Sequence, residues 1–336
     1  MMNRLQKLQA ATVAIAIATL LISVPAQSNP DRWKSEGWRK TDFAKSSINF
    51  NEILSGGPPK DGIPSIDKPQ FKSIADITDI AEQAPVIGLT IDGDARAYPL
   101  SVLMWHEIVN DTVGKKPVTV TYCPLCNAAL VFERTVNGQI LDFGTTGKLR
   151  NSDLVMYDRQ SETWWQQFTG EAIVGEMLGT ELALVPSRLE SFGEFKKRHP
   201  DGKVLVPNNP TKRNYGRNPY VGYDSAARPF LYRGAMPEGI NPMARVVMVR
   251  TGAQPHAISL ALLRDKKTVD LAGIELSWRP GQASALDTSE IAKGRDVGTV
   301  LAQKRGGDGK LRDVPYDVTF AFVFHAFHPS HKIRTE

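Results

Sequence analysis

Two cysteines, Cys123 and Cys126, are the only ones in the 336-residue chain, and they stand in Thr121-Tyr122-Cys123-Pro124-Leu125-Cys126-Asn127. A CxxC pair can form a disulfide, act as a dithiol switch or supply two thiolates to a metal. The metal reading finds a third ligand in His106 of Trp105-His106-Glu107-Ile108-Val109-Asn110-Asp111. With Met104 or Met156 nearby, such a set suits a soft ion, copper(I) or zinc. The redox reading meets an obstacle. A thioredoxin-like cysteine is activated by the exposed amides of a long helix that begins at it, whereas here the residues from Phe132 onward alternate as in a strand. A structural disulfide needs neither property and is the third possibility.

Related motifs fail on single residues. His106-Glu107-Ile108-Val109-Asn110 has asparagine where a zinc protease carries its second histidine, and Cys126 is followed by Asn127 rather than the histidine of a covalent haem site. The H-x-E order of a zinc deaminase is also missing. The densest polar and aromatic group is Tyr157-Asp158-Arg159 with Thr163-Trp164-Trp165-Gln166-Gln167. Adjacent tryptophans on a strand point to opposite faces, so one of them at most faces a pocket. Asp153, Tyr157 and Trp165 are the ligand-binding candidates. Cys123, Cys126, Asp111, Asp158 and Arg159 are the candidates for catalysis, should there be any. His325, His328 and His331 follow Phe320, Phe322 and Phe324, which alternate as on one face of a strand and would leave the histidines at its end.

The compartment decides what the thiols can do. Arg4 and Lys7 precede an apolar run over residues 10–24, and Val24-Pro25-Ala26 offers small residues for cleavage, so residues 1–26 read as a signal peptide and the chain as exported, periplasmic or extracellular. The run is shorter than a bilayer span, and no later stretch is expected to cross a membrane. Hydrophobic residues make up 41% and charged ones 23%, the balance of a folded globular protein. Net charge falls from +5 to +3 once Arg4 and Lys7 leave, too little to argue for nucleic acid or an anionic membrane. No haem or nucleotide is expected.

The elements that must position these residues begin with a turn-rich wrapping segment over residues 27–80. Its Asp61 and Asp67 read as turn residues that cap backbone amides. Residues 86–103 then match residues 246–263 at an offset of 160, each reading as strand, tight turn, strand and helix. Asp92-Gly93 marks the first turn, and Asn137-Gly138 marks a later hairpin. Gly144-Thr145-Thr146-Gly147 is expected to turn the chain, and a helix is expected from Leu189 to His199. The resulting fold class is α+β, β-rich, with two related lobes made by an internal duplication. Residues 81–206 form the first lobe with the CxxC site, and residues 207–336 form a linker and a degenerate second lobe.

Several long motifs occur in order: Gly56-Gly57-Pro58-Pro59-Lys60-Asp61-Gly62-Ile63-Pro64, the His106 and CxxC segments, Phe143 through Arg159, and Trp164-Trp165-Gln166-Gln167. Together they resemble the domain of unknown function numbered 3179, found in exported bacterial and archaeal proteins, over about Asn51 to Pro329. The resemblance implies positions rather than an activity: His106, Asn110, Asp111, Cys123, Cys126, Asp153, Tyr157, Asp158, Arg159 and Trp165. The chain departs from the family pattern near His325 and His328. The expected function is binding of copper or zinc by Cys123, Cys126 and His106. A thiol-disulfide oxidoreductase and a non-catalytic binding module with a structural disulfide are the alternatives. Substrate, partner and oligomeric state are not legible.

Overall fold

A computed structural model describes residues 30–336. The leader over residues 1–26 lies outside the described residues. Strands account for 39% of the chain and helices for 15%, and five sheets of three to five strands stand as the blades of a β-propeller. This overturns the expected α+β fold of two lobes. Two physical facts explain the difference. The four helices that follow blade strands, Leu100–His106, Phe192–Arg198, Leu260–Lys266 and Ala321–Phe327, have seven residues each, too short to make a layer. The largest hydrophobic cluster also runs unbroken from Ile66 through Val120 and Val247 to Phe324, so the two halves share one interior. Segments Pro85–His106 and Arg245–Lys266 both contain strand, turn, strand and helix, but they belong to two blades of one ring.

Blades are assembled from distant parts of the sequence. Ile53–Ser55 adds to the edge of Phe143–Arg150, which continues through Asp153–Asp158, Trp164–Gln166 and Ala172–Val174. Lys203–Val206 runs parallel to Asp94–Pro99 and antiparallel to Gln70–Ser73. Tyr316–Phe320 pairs with Arg245–Thr251, which brings the C-terminal part of the chain into the ring. The blade that carries the cysteines consists of Ile108–Val113, Lys116–Cys123 and Ala128–Glu133 in antiparallel order.

Local turn chemistry follows the residues. Asp92 and Gly93 take φ of 49° and 83°, and Asn137 and Gly138 take 50° and 79°, the left-handed pairs that tight hairpins require. Gly144 to Gly147 does not turn the chain. These residues lie inside Phe143–Arg150, where the register shifts between Thr145 and Lys148 as in a bulge. Gly147 has φ of 70°, and a Cβ there would run into the Pro58 carbonyl oxygen. Gly147→Ala is therefore expected to destabilise the protein by about 2 kcal/mol or more, seen as a lower denaturant midpoint with an unchanged slope. The expected helix from Leu189 to His199 divides into a strand, Arg188–Ser191, and a helix over Phe192–Arg198 that Ser191 caps. Phe322 and Phe324 lie on the helix Ala321–Phe327 rather than on a strand, because apolar side chains on every side suit a fully buried helix as well as a strand.

Trp164 and Trp165 do face opposite ways. Trp165 joins the main interior, while Trp164 packs against Trp33, Trp38 and Phe43, which lie within the segment that wraps this blade. Among the described residues no helix is long and apolar enough to cross a membrane.

Candidate metal centre

Cys123 ends its strand and Ala128 opens the next, so the CxxC residues form the loop of a hairpin. Two short backbone bonds tighten it, Cys126 N–H to the Cys123 carbonyl at 3.2 Å and Asn127 N–H to the Pro124 carbonyl at 3.2 Å. Asn127 closes the loop at φ of 53° and donates through its side chain to the Val318 carbonyl at 2.6 Å. The Thr319 hydroxyl donates to the Cys126 carbonyl at 2.8 Å. The C-terminal blade strand therefore clamps the cysteine loop from 190 residues away in the chain, a contact without any signal in the local sequence.

A second turn meets this loop. Asn151 and Ser152, with φ of 53° and 67°, join Phe143–Arg150 to Asp153–Asp158 in a tight hairpin and place the Ser152 carbonyl 3.8 Å from the Cys123 sulfur and 3.5 Å from the Cys126 sulfur. The next residue is Asp153. Its carboxylate and the two sulfurs lie within 4.8 Å of one another, all three residues buried. Two sulfurs on one tetrahedral zinc would stand about 3.8 Å apart, so the cluster is of the right size to close on an ion. Both cysteines are free thiols.

Burial dominates the electrostatics of the cluster. Asp153 Oδ2 accepts from the Gln166 amide at 2.6 Å and the Phe168 N–H at 2.9 Å, whereas among the described residues its buried Oδ1 has no partner apart from the two thiols, whose interaction with the carboxylate opposes the effect of burial. Burial pushes Asp153 up to about 6, raises Cys123 and raises Cys126 well above the ordinary thiol range. Burial, with Asp153 as a secondary cause, also pushes Glu107 up to about 8. Asp317, which accepts from the Ala129 N–H at 3.0 Å, is raised by burial to about 7.

These last two carboxyls carry a pH dependence. Each keeps its proton in the native chain at pH values where the unfolded chain has lost it, so their contribution is full below the unfolded value and is lost as pH rises to the native one. The windows run from 4.5 to about 8 for Glu107 and from 3.8 to about 7 for Asp317. Taken together, these two windows are expected to make the metal-free protein less stable at pH 8 than at pH 5, by on the order of 6 kcal/mol. Urea midpoints across that range test this, and a flat profile would mean that neither carboxyl is held neutral.

The other sequence candidates are dispersed. His106 Nδ1 donates to the Pro64 carbonyl at 2.7 Å, and its Nε2 accepts from the Tyr215 hydroxyl at 2.7 Å, with the Tyr215 ring stacked alongside at 5.8 Å. The third group beside the sulfurs is Asp153. Asp111 receives two bonds from Arg96, at 2.7 and 2.8 Å, and one from the Tyr98 hydroxyl at 2.6 Å. Asp158 holds the turn at Ser161 and accepts from the Trp165 indole at 3.0 Å. Tyr157 and Arg159 both bond to Asp61 Oδ2, at 2.5 and 2.9 Å, which pins the wrapping segment to the blade. His325 and His328 stand on or just after the last helix, and burial pushes His328 down to about 4. Sequence reading missed Glu107 and Asp317 as buried acids. Glu107 had one signal, its place beside His106, and Asp317 had none.

Fold and site together define a β-propeller with a thiol, thiol and carboxylate cluster sealed between two hairpin turns. A family model described as Protein of unknown function (DUF3179) matches residues 60–331, and the chain belongs to that family. Comparison with curated proteins and with solved structures gave no match.

Proposed function

We propose that this is an exported metal-binding protein whose ion, zinc in preference to copper, is held by Cys123, Cys126 and Asp153. The observation that carries the reading is the meeting of two free thiols with a buried carboxylate whose Oδ1 is otherwise unbonded. A carboxylate beside two sulfurs favours zinc, because copper(I) prefers sulfur donors alone. The raised thiols are the metal-free state of such a site: a cation within bonding distance reverses the penalty of burial and displaces the protons. In an oxidising compartment, for which the charged and apolar leader argues, a bound ion also protects two adjacent thiols from oxidation.

Elemental analysis with a count of reduced thiols tests the proposal. Protein purified without chelator should retain close to one zinc per chain with both sulfurs reduced, and loading the metal-free protein should release about two protons per ion at neutral pH. A chain that retains no added metal while its sulfurs cycle reversibly with a disulfide would instead be a thiol-disulfide oxidoreductase. An inert disulfide would make the pair a staple. Asp153→Asn should weaken zinc binding at least about tenfold in a competition with a chromogenic chelator, with both thiols still titratable. Unchanged affinity would remove Asp153 from the ligand set.

A further inference from the structure

A second concave site lies between the blade that contains Arg245–Thr251 and the loop around Asp296, apart from the sulfur cluster. Its volume is about 440 Å³, with Met243 and Leu260 among its apolar walls and Arg245, Arg264, Arg295 and Asp224 among its polar ones. We propose that this cavity binds a small carboxylate with an apolar body.

The argument rests on how the charges are used. Arg245 is almost fully buried, with 7% of its side chain exposed. Its Nη2 donates to Asp224 Oδ2 and to the Ser284 hydroxyl, both at 2.8 Å, and among the described residues no acceptor takes its Nε or Nη1 hydrogens. Asp224 is fully occupied: Oδ2 also accepts from Ser284 at 2.5 Å, and Oδ1 accepts from Arg295 at 2.9 Å. The other acid of the wall, Asp296, spends its carboxylate on the backbone N–H groups of Gly281, Gln282 and Gly298. Among the described residues Arg264 has only an exposed contact with Asp265 at 3.6 Å. Arg245, whose Nε and Nη1 hydrogens have no acceptor among the described residues, thus lines the cavity together with a second cation at its rim and apolar walls. A guanidinium fork matches the two oxygens of a carboxylate, and the volume of the cleft suits a molecule of modest size.

Isothermal titration of the intact protein with benzoate and with phenylacetate, using benzyl alcohol as the uncharged control, tests the assignment. At least one carboxylate should bind with a Kd of about 1 mM or tighter, and the alcohol at least about tenfold more weakly. Arg264→Ala removes a side chain that is 58% exposed and should leave the fold intact while weakening the carboxylate about tenfold. Arg245→Lys retains the charge beside Asp224 but not the planar fork, and should weaken binding further. The proposal is overturned if neither carboxylate binds below about 10 mM. Equal binding of the alcohol, or unchanged affinity in both variants, overturns it as well. Cys123, Cys126 and Asp153 are not among the residues that line this cavity, so failure of either site leaves the other standing.

Discussion

Zinc affinity is expected to fall by at least about a thousandfold when Cys123 and Cys126 are both replaced by serine, because two thiolates supply most of the apparent binding free energy of about 10–16 kcal/mol seen in sulfur-rich zinc sites. A serine hydroxyl does not ionise near neutral pH and is a poor partner for zinc. The replacement leaves the hairpin intact, since the loop is held by its own backbone bonds and by Asn127, Val318 and Thr319 rather than by the sulfurs. The double variant should therefore stay folded, with its loss confined to metal retention. Chelator competition and far-ultraviolet circular dichroism read the two quantities separately. A variant that keeps its zinc would place the ion elsewhere, and one that unfolds would make the pair structural.

Asp111→Ala is expected to cost about 3 kcal/mol of stability without altering metal affinity. The side chains of Arg96 and Asp111 are only 13% and 6% exposed, and the carboxylate accepts from Arg96, Tyr98 and the Thr112 N–H. Removal strands the buried Tyr98 hydroxyl and leaves Arg96 with Asp94 as its remaining acid. Breaking a buried ion pair from one side is among the more damaging single changes, because the surviving charge loses compensation it cannot recover from water. Denaturant unfolding of the metal-free and zinc-loaded forms measures the effect. Equal loss in both forms fits a pin between blades. A loss of zinc affinity instead would show that Asp111 acts on the centre.

Much of the local chemistry was legible. Asn-Gly and Asp-Gly pairs gave their hairpins because left-handed φ is available to few residues. Trp164 and Trp165 divided between two faces because side chains alternate along any strand. The CxxC pair and Asp153 were visible separately as candidates, but their meeting was not. His106 was proposed as a third ligand beside the sulfurs, whereas the positive φ of Glu107 ends that helix, and the ring is taken up by Pro64 and Tyr215. The reading of two lobes came from a pattern that recurs at an offset of 160 residues. Such a pattern reports the shape of each unit and is silent on whether neighbouring units close separate interiors or share one.

The sequence by itself determined that Asp92-Gly93 and Asn137-Gly138 turn as tight hairpins, that two thiols stand together and that the chain belongs to a recognisable family. These are local matters, fixed by alternation, by backbone preference at a few residues and by covalent spacing. Only the tertiary structure decided that the sheets close into one ring, that Asp153 rather than another acid meets the sulfurs, and that Arg245 and Asp224 pair at the wall of a cavity. Those outcomes depend on contacts between residues tens to hundreds of positions apart. Such contacts form when burying the shared apolar surface outweighs the entropy of bringing distant segments together, a balance struck over the whole chain.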